Sequence, residues 1–110
     1  MKTLSKPDEI LLLTILRLDN DASSIDIVRD IEDRTGKIIT FGALWVSMDI
    51  LTKKGLAAKR MDEPGESGGR KKIFYTVTSE GIAALEASRK LHTKLWQGID
   101  HIIDAPKDVS

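Results

Sequence analysis

A mainly α-helical domain with one small β-hairpin is the fold this chain of 110 residues predicts. Three observations carry that prediction. Apolar residues recur at helical spacing in three segments of the first half, most with a capping residue before and a glycine or polar stop after. One later stretch, Ile73-Phe74-Tyr75-Thr76-Val77, alternates as a strand does, and Leu56 to Met61 offers it a partner. The C-terminal quarter then carries a single long apolar stripe.

The first predicted helix runs from Pro7 to about Leu18, with Ser5 as its cap and Asp8 and Glu9 at its positive end. Its apolar residues nearly encircle it, which marks it as central and buried. Asp19-Asn20-Asp21 ends it. Ser23 or Ser24 starts the second helix, with Ile25, Val28 (or Ile27) and Ile31 on its inner side and Thr35-Gly36 at its end. Lys37 to Ile39 connects to a third helix capped by Thr40. Phe41, Leu44, Met48 and Leu51 form its inner stripe and Gly55 its left-handed stop.

Helix two, a short connection and helix three form a helix-turn-helix. The hairpin that follows, with its tip at Gly68-Gly69 and cationic shoulders, makes it a winged one. Thr78 caps the last helix, with Glu80 in its first turn. That helix is predicted to run unbroken from Ser79 to about Ile103, roughly 37 Å, longer than so small a core can cover. Three regions result: residues 1–78, a winged helix-turn-helix DNA-binding domain; 79–104, a C-terminal dimerisation helix; and 105–110, a disordered tail.

The net charge of zero conceals an uneven distribution. Residues 1–35 hold five basic and eight acidic side chains, whereas residues 53–72 hold seven basic against three acidic. A molecule of that kind can set its positive face on phosphate and turn its acidic face to solvent. The absence of cysteine removes disulfides, thiolate metal sites and thiol nucleophiles. No apolar run is long enough to span a bilayer, and a cytoplasmic location is expected. His92 and His101 are nine residues apart, which places them about 180° apart on one helix. No metal site, cofactor or catalytic constellation is expected, and the chain reads as a non-enzyme.

From Gly42 to Gly81 the sequence resembles the PadR family of bacterial transcriptional regulators. The resemblance rests on Gly42-Ala43-Leu44-Trp45, Leu51, Gly55-Leu56, Gly68-Gly69-Arg70, Phe74-Tyr75 and Thr78-Ser79-Glu80-Gly81, in that order. It implies a homodimeric repressor that binds a palindromic operator in double-stranded DNA, helix three entering the major groove and the wing touching the flanking backbone or minor groove. The residues expected to meet DNA are Thr40, Ala43, Trp45, Ser47, Lys53, Arg70, Lys71 and Lys72. Two positions depart from the family pattern: Trp45 stands in place of a tyrosine, and Asp49 lies where basic or neutral residues are commoner. With so few base-reading groups on helix three, the wing is expected to supply much of the affinity.

The stripe Leu91, Leu95, Ile99 and Ile102 projects beyond the domain and is expected to form the dimer interface, unless it folds back on helix one. Trp96, in the run Trp96-Gln97-Gly98-Ile99-Asp100, is similar to a tryptophan that some small family members hold near the dimer axis. That resemblance implies a small planar aromatic effector, while the alternative for Trp96 is plain packing. The competing reading of the whole chain is a winged-helix protein-interaction module without sequence-specific DNA binding.

Overall fold

The computed structural model describes residues 4–62 and 72–104. Its elements in chain order are α1 (Lys6–Arg17), β1 (Ala22–Ser23), α2 (Ser24–Thr35), α3 (Phe41–Lys53), β2 (Ala57–Asp62), β3 (Lys72–Val77), α4 (Ser79–Trp96) and α5 (Asp100–Asp104). The strands form one antiparallel sheet in the order β1-β3-β2.

Each of the first four long helices starts on a short polar side chain that satisfies one free N–H of its first turn. Ser5 accepts from Asp8 N, Ser23 from Asp26 N, Thr40 from Ala43 N and Thr78 from Gly81 N. Gly36 closes α2 at φ 73° and Gly55 follows α3 at φ 78°, conformations that cost glycine nothing and other residues appreciable strain.

The core is built from Leu11, Leu12 and Ile15 of α1, Ile27 and Ile31 of α2, Leu44, Met48 and Leu51 of α3, and Ala57, Tyr75 and Val77 of the hairpin. The central helix is less uniformly buried than its composition implies, because Leu13 faces outward. In α2 the inner line passes through Ile27 and Ile31, while Ile25 is exposed. Phe41 also lies largely outside: it sits one turn before Leu44, past the edge of the packed core, with its ring centroid 6.1 Å from that of Trp45.

The third strand, β1, is not apparent from the sequence. Its two residues pair Ala22 with Tyr75 and Ser23 with Phe74. The turn before it is held by Asn20, which adopts a left-handed backbone at φ 56°. Its side-chain oxygen accepts from Val77 N at 2.7 Å, and its amide donates to Val77 O at 3.4 Å. That turn therefore fixes the end of α1 to the end of the wing.

The C-terminal segment differs from the single long helix expected. α4 stops at Trp96, Gln97 leaves the helical region at ψ 127°, Gly98 turns at φ 87°, and a short α5 follows. The expected dimerisation helix over 79–104 is thus two helices, the longer about 27 Å. The reason is local: glycine carries the cost of ordering without a side chain to pack, and Gln97-Gly98 lies beyond the body of the domain where nothing opposes the break. Ile99 and Ile102 consequently leave the line of Leu91 and Leu95. The part of α4 nearest its start does rest on α1, where Ser88 donates to Glu9 Oε2 at 2.6 Å. Residues 105–110, expected as a tail, lie outside the described residues.

Candidate nucleic-acid interface

The outer side of α3 and the adjoining strands define one face of the molecule. Thr40 caps α3 with its hydroxyl oxygen, leaving the N–H groups at that helix end directed outward. Ala43 and Trp45 are exposed on the first turns, and Val46 is the most open of the large apolar side chains of this helix at 64%. Ser47 is partly buried. Among the expected contact residues it is therefore poorly placed.

Trp45 is committed elsewhere. Its indole N–H points at Ser24 Oγ, 3.4 Å away, rather than outward. Ser24 therefore links α3 to the start of α2. Burial pushes the Tyr75 phenol above its ordinary range. The tryptophan that replaces a tyrosine thus braces α3 against the body while leaving its ring edge exposed.

Asp49 and Lys53 pair across one helical turn at 3.0 Å. Both are exposed, and such a pair contributes little to stability. Its effect here is electrostatic, since Lys53 brings less net positive charge to the face than its sequence position implies. A cleft of about 310 Å³ separates this part of α3 from the strands, with Asp49, Thr52, Lys59 and Tyr75 among its lining.

Arg60 is the largest surprise among the basic residues. Its guanidinium donates to both oxygens of Asp21 at 2.8 and 2.9 Å, pairs with Asp62, and lies 4.4 Å over the Phe74 ring. Hydrogen bonds to the two aspartates raise its pKa further. Arg60 therefore ties β2 to the turn before β1, and its charge is neutralised locally. The sequence shows the cationic residue but not its partner, because Asp21 is 39 positions away. Lys59 and Lys72 are exposed on the strands, Lys72 opposite Asp62 in the ladder. Arg70 and Lys71, both expected to meet DNA, lie outside the described residues.

Away from this face, Leu91, Leu95, Ile99 and Ile102 are all exposed. Trp96 is exposed too, with the His92 ring stacked on it at 5.4 Å and 28°. Between α1 and α4 runs an open groove of about 490 Å³ with an apolar floor that includes Leu13, Leu16, Ile82 and Leu85. No helix among the described residues is long and apolar enough to cross a membrane. Among the described residues, no group of three or more His, Asp or Glu is arranged to hold a metal ion.

The helix-turn-helix, the three-stranded sheet and the hairpin after α3 define a winged helix. Solved structures agree. A PadR-like transcription factor from Bacteroides fragilis superposes with a TM-score of 0.73 at 20% identity, covering 87% of this chain and 88% of its own. A PadR family transcription regulator from Clostridium difficile gives a TM-score of 0.69 at 20% identity, covering 87% and 97%. F93 from STIV, a winged-helix DNA-binding protein, gives 0.65 at 18% identity, covering 88% and 98%. No family model matches the chain, and no curated protein sequence matches it. At these identities the likeness establishes the fold.

Proposed function

We propose that this chain is a DNA-binding transcriptional regulator of the PadR type, acting as a homodimeric repressor on a palindromic operator. The observation that carries the reading is the disposition of charge on the winged-helix frame. Along the sequence the acidic excess lies in residues 1–35 and the basic excess in residues 53–72; among the described cations of the second stretch, Lys54, Lys59 and Lys72 are exposed, while Lys53 and Arg60 pair with aspartates. The similar solved structures, regulators and a DNA-binding winged helix, support the same class. Gel-shift titration with the DNA upstream of the chain's own coding region tests it. A shift in the sub-micromolar range at 50 mM salt is expected, in line with specific sites binding far more tightly than random ones. Absence of any shift at low salt would refute the reading and favour the protein-interaction module.

The homodimer rests on the apolar side chains that α4 and α5 leave uncovered: Leu91, Leu95, Ile99 and Ile102. A two-fold axis along α4 would bury them, together with the groove over Leu13 and Ile82, and would present two copies of α3 to successive major grooves. Leu91→Asp with Leu95→Asp places charge at such an interface while leaving the described core untouched. Sedimentation should give a dimer for the parent chain and a monomer for the double variant. A parent chain that stays monomeric at tens of micromolar would remove the dimer from the model.

A planar aromatic effector would seat on Trp96, where His92 already stacks and where a ring of the same shape can replace it. In a Trp45→Phe background the fluorescence of Trp96 alone is seen, and flat aromatic compounds should quench it saturably. No response across a varied panel would leave Trp96 as a packing residue.

A further inference from the structure

We infer, building on the DNA-binding reading above, that α3 reads its operator through the C5-methyl groups of thymines, with Val46 and Ile50 as the contacting side chains. The inference starts from what α3 lacks. The centre of its outer face is formed by Gly42, Val46, Asp49 and Lys53, with Ala43 and Ile50 beside them. Asp49 and Lys53, the two charged groups there, are bound to each other at 3.0 Å. The Trp45 N–H is directed to Ser24, and Ser47 is partly buried. What remains presented at the centre of that face is aliphatic, Val46 at 64% and Ile50 at 46% exposure, with the Phe41 and Trp45 rings to one side and Ala43 small enough to let the helix backbone approach.

Base pairs differ in what they offer such a surface. Purine edges and the cytosine amino group in the major groove require hydrogen-bonding partners, whereas thymine presents a methyl group that an aliphatic side chain can desolvate. An exposed apolar face also suits a protein partner, but the setting here points to a duplex. Lys54 and Lys59 are exposed beside this face, and the N-terminus of α3 opens at one end of it. Cations that flank an apolar strip match phosphates that flank a groove floor. In this geometry the lysines set the position of the helix, and Val46 and Ile50 discriminate among bases.

The test uses duplexes selected from a random pool by the full-length chain, then resynthesised with deoxyuridine in place of every thymidine. The two duplexes pair identically and differ in the methyl groups. Affinity should fall about fourfold for each methyl contacted, hence about tenfold or more for a half-site where both side chains engage. Val46→Ala with Ile50→Ala should bind the thymine duplex about as weakly as the parent binds the uracil duplex, and should no longer distinguish the two. Both positions are exposed, so the variant's melting temperature should match the parent's. Equal binding of thymine and uracil duplexes by the parent would overturn the inference while leaving DNA binding intact. A preference that persists unchanged in the double variant would overturn it as well, assigning the effect to duplex shape. Failure to enrich any duplex would instead defeat the DNA-binding reading itself.

Discussion

Replacing Gly81 with alanine is expected to cost about 3 kcal/mol of stability and to lower the melting temperature by more than about 10 °C. Gly81 is buried in the first turn of α4, where a Cβ would lie 2.1 Å from the carbonyl oxygen of Leu56 and 2.6 Å from a methyl of Val77. The first of these neighbours is backbone and cannot rotate away. That same oxygen accepts from Thr78 N at 3.1 Å, so any shift that relieves the clash strains a neighbouring hydrogen bond. Thr78 also donates to Gly55 O at 2.6 Å while its oxygen accepts from Gly81 N at 3.1 Å. The end of α3, the end of the wing and the start of α4 therefore meet within a few residues, and Gly81 is the position that lets them approach.

Gly42→Ala provides the contrast. A Cβ there meets nothing within 4 Å, and the site is helical. This substitution is expected to raise stability by about 0.5–1 kcal/mol. Thermal unfolding of the two variants side by side checks both. If Gly81→Ala melts with the parent, the close approach of α4 to Leu56 is wrong. In the proposed regulator this junction has a functional side as well, because a movement of α4 relative to its partner would be transmitted to α3 through it.

Removing the wing cations should have the largest effect on binding. For Arg70→Ala, Lys71→Ala and Lys72→Ala combined, affinity should fall by roughly 10²-fold per wing at about 0.1 M salt, with little dependence on sequence, since phosphate contacts carry no base information. Arg60 is left in place deliberately. Its bonds to Asp21 tie the hairpin to the turn before β1, so its loss would confuse structure with binding. Lys72 is the described member of the three, exposed at the first position of β3. Unchanged affinity in the triple variant, with an unchanged melting temperature, would remove the wing from the interface.

Much of this architecture is legible in the sequence where its cause is local. Ser5, Ser23, Thr40 and Thr78 act as caps because a side-chain oxygen and an N–H three residues on need nothing else to meet. The inner line Leu44, Met48 and Leu51 follows from helical period, as do the stop at Gly55 and the alternation of β3. Features set by distant partners were not legible. β1 exists only because Ala22 and Ser23 find β3, and two residues carry no periodicity of their own. The commitment of Arg60 depends on Asp21, and that of Trp45 on Ser24, neither predictable from neighbouring sequence.

Gly98 stands at the break after Trp96, yet the apolar stripe Leu91, Leu95, Ile99 and Ile102 runs through it at unbroken helical spacing. On the candidate interface, residue types were a better guide than residue availability. Lys53 and Trp45 are where the pattern puts them, yet the ammonium of one and the N–H of the other already have partners in the fold. Arg70 and Lys71 rest on sequence alone.

The salt dependence of binding tests the central proposal most directly. Two wings with three cations each imply about six phosphate contacts per dimer, so log affinity against log salt should fall with a slope of about −5 or steeper between 50 and 200 mM. The triple wing variant should give a slope shallower by about 5, the share of the contacts removed. A parent slope near zero, or binding to duplex DNA that salt does not weaken, would contradict the account.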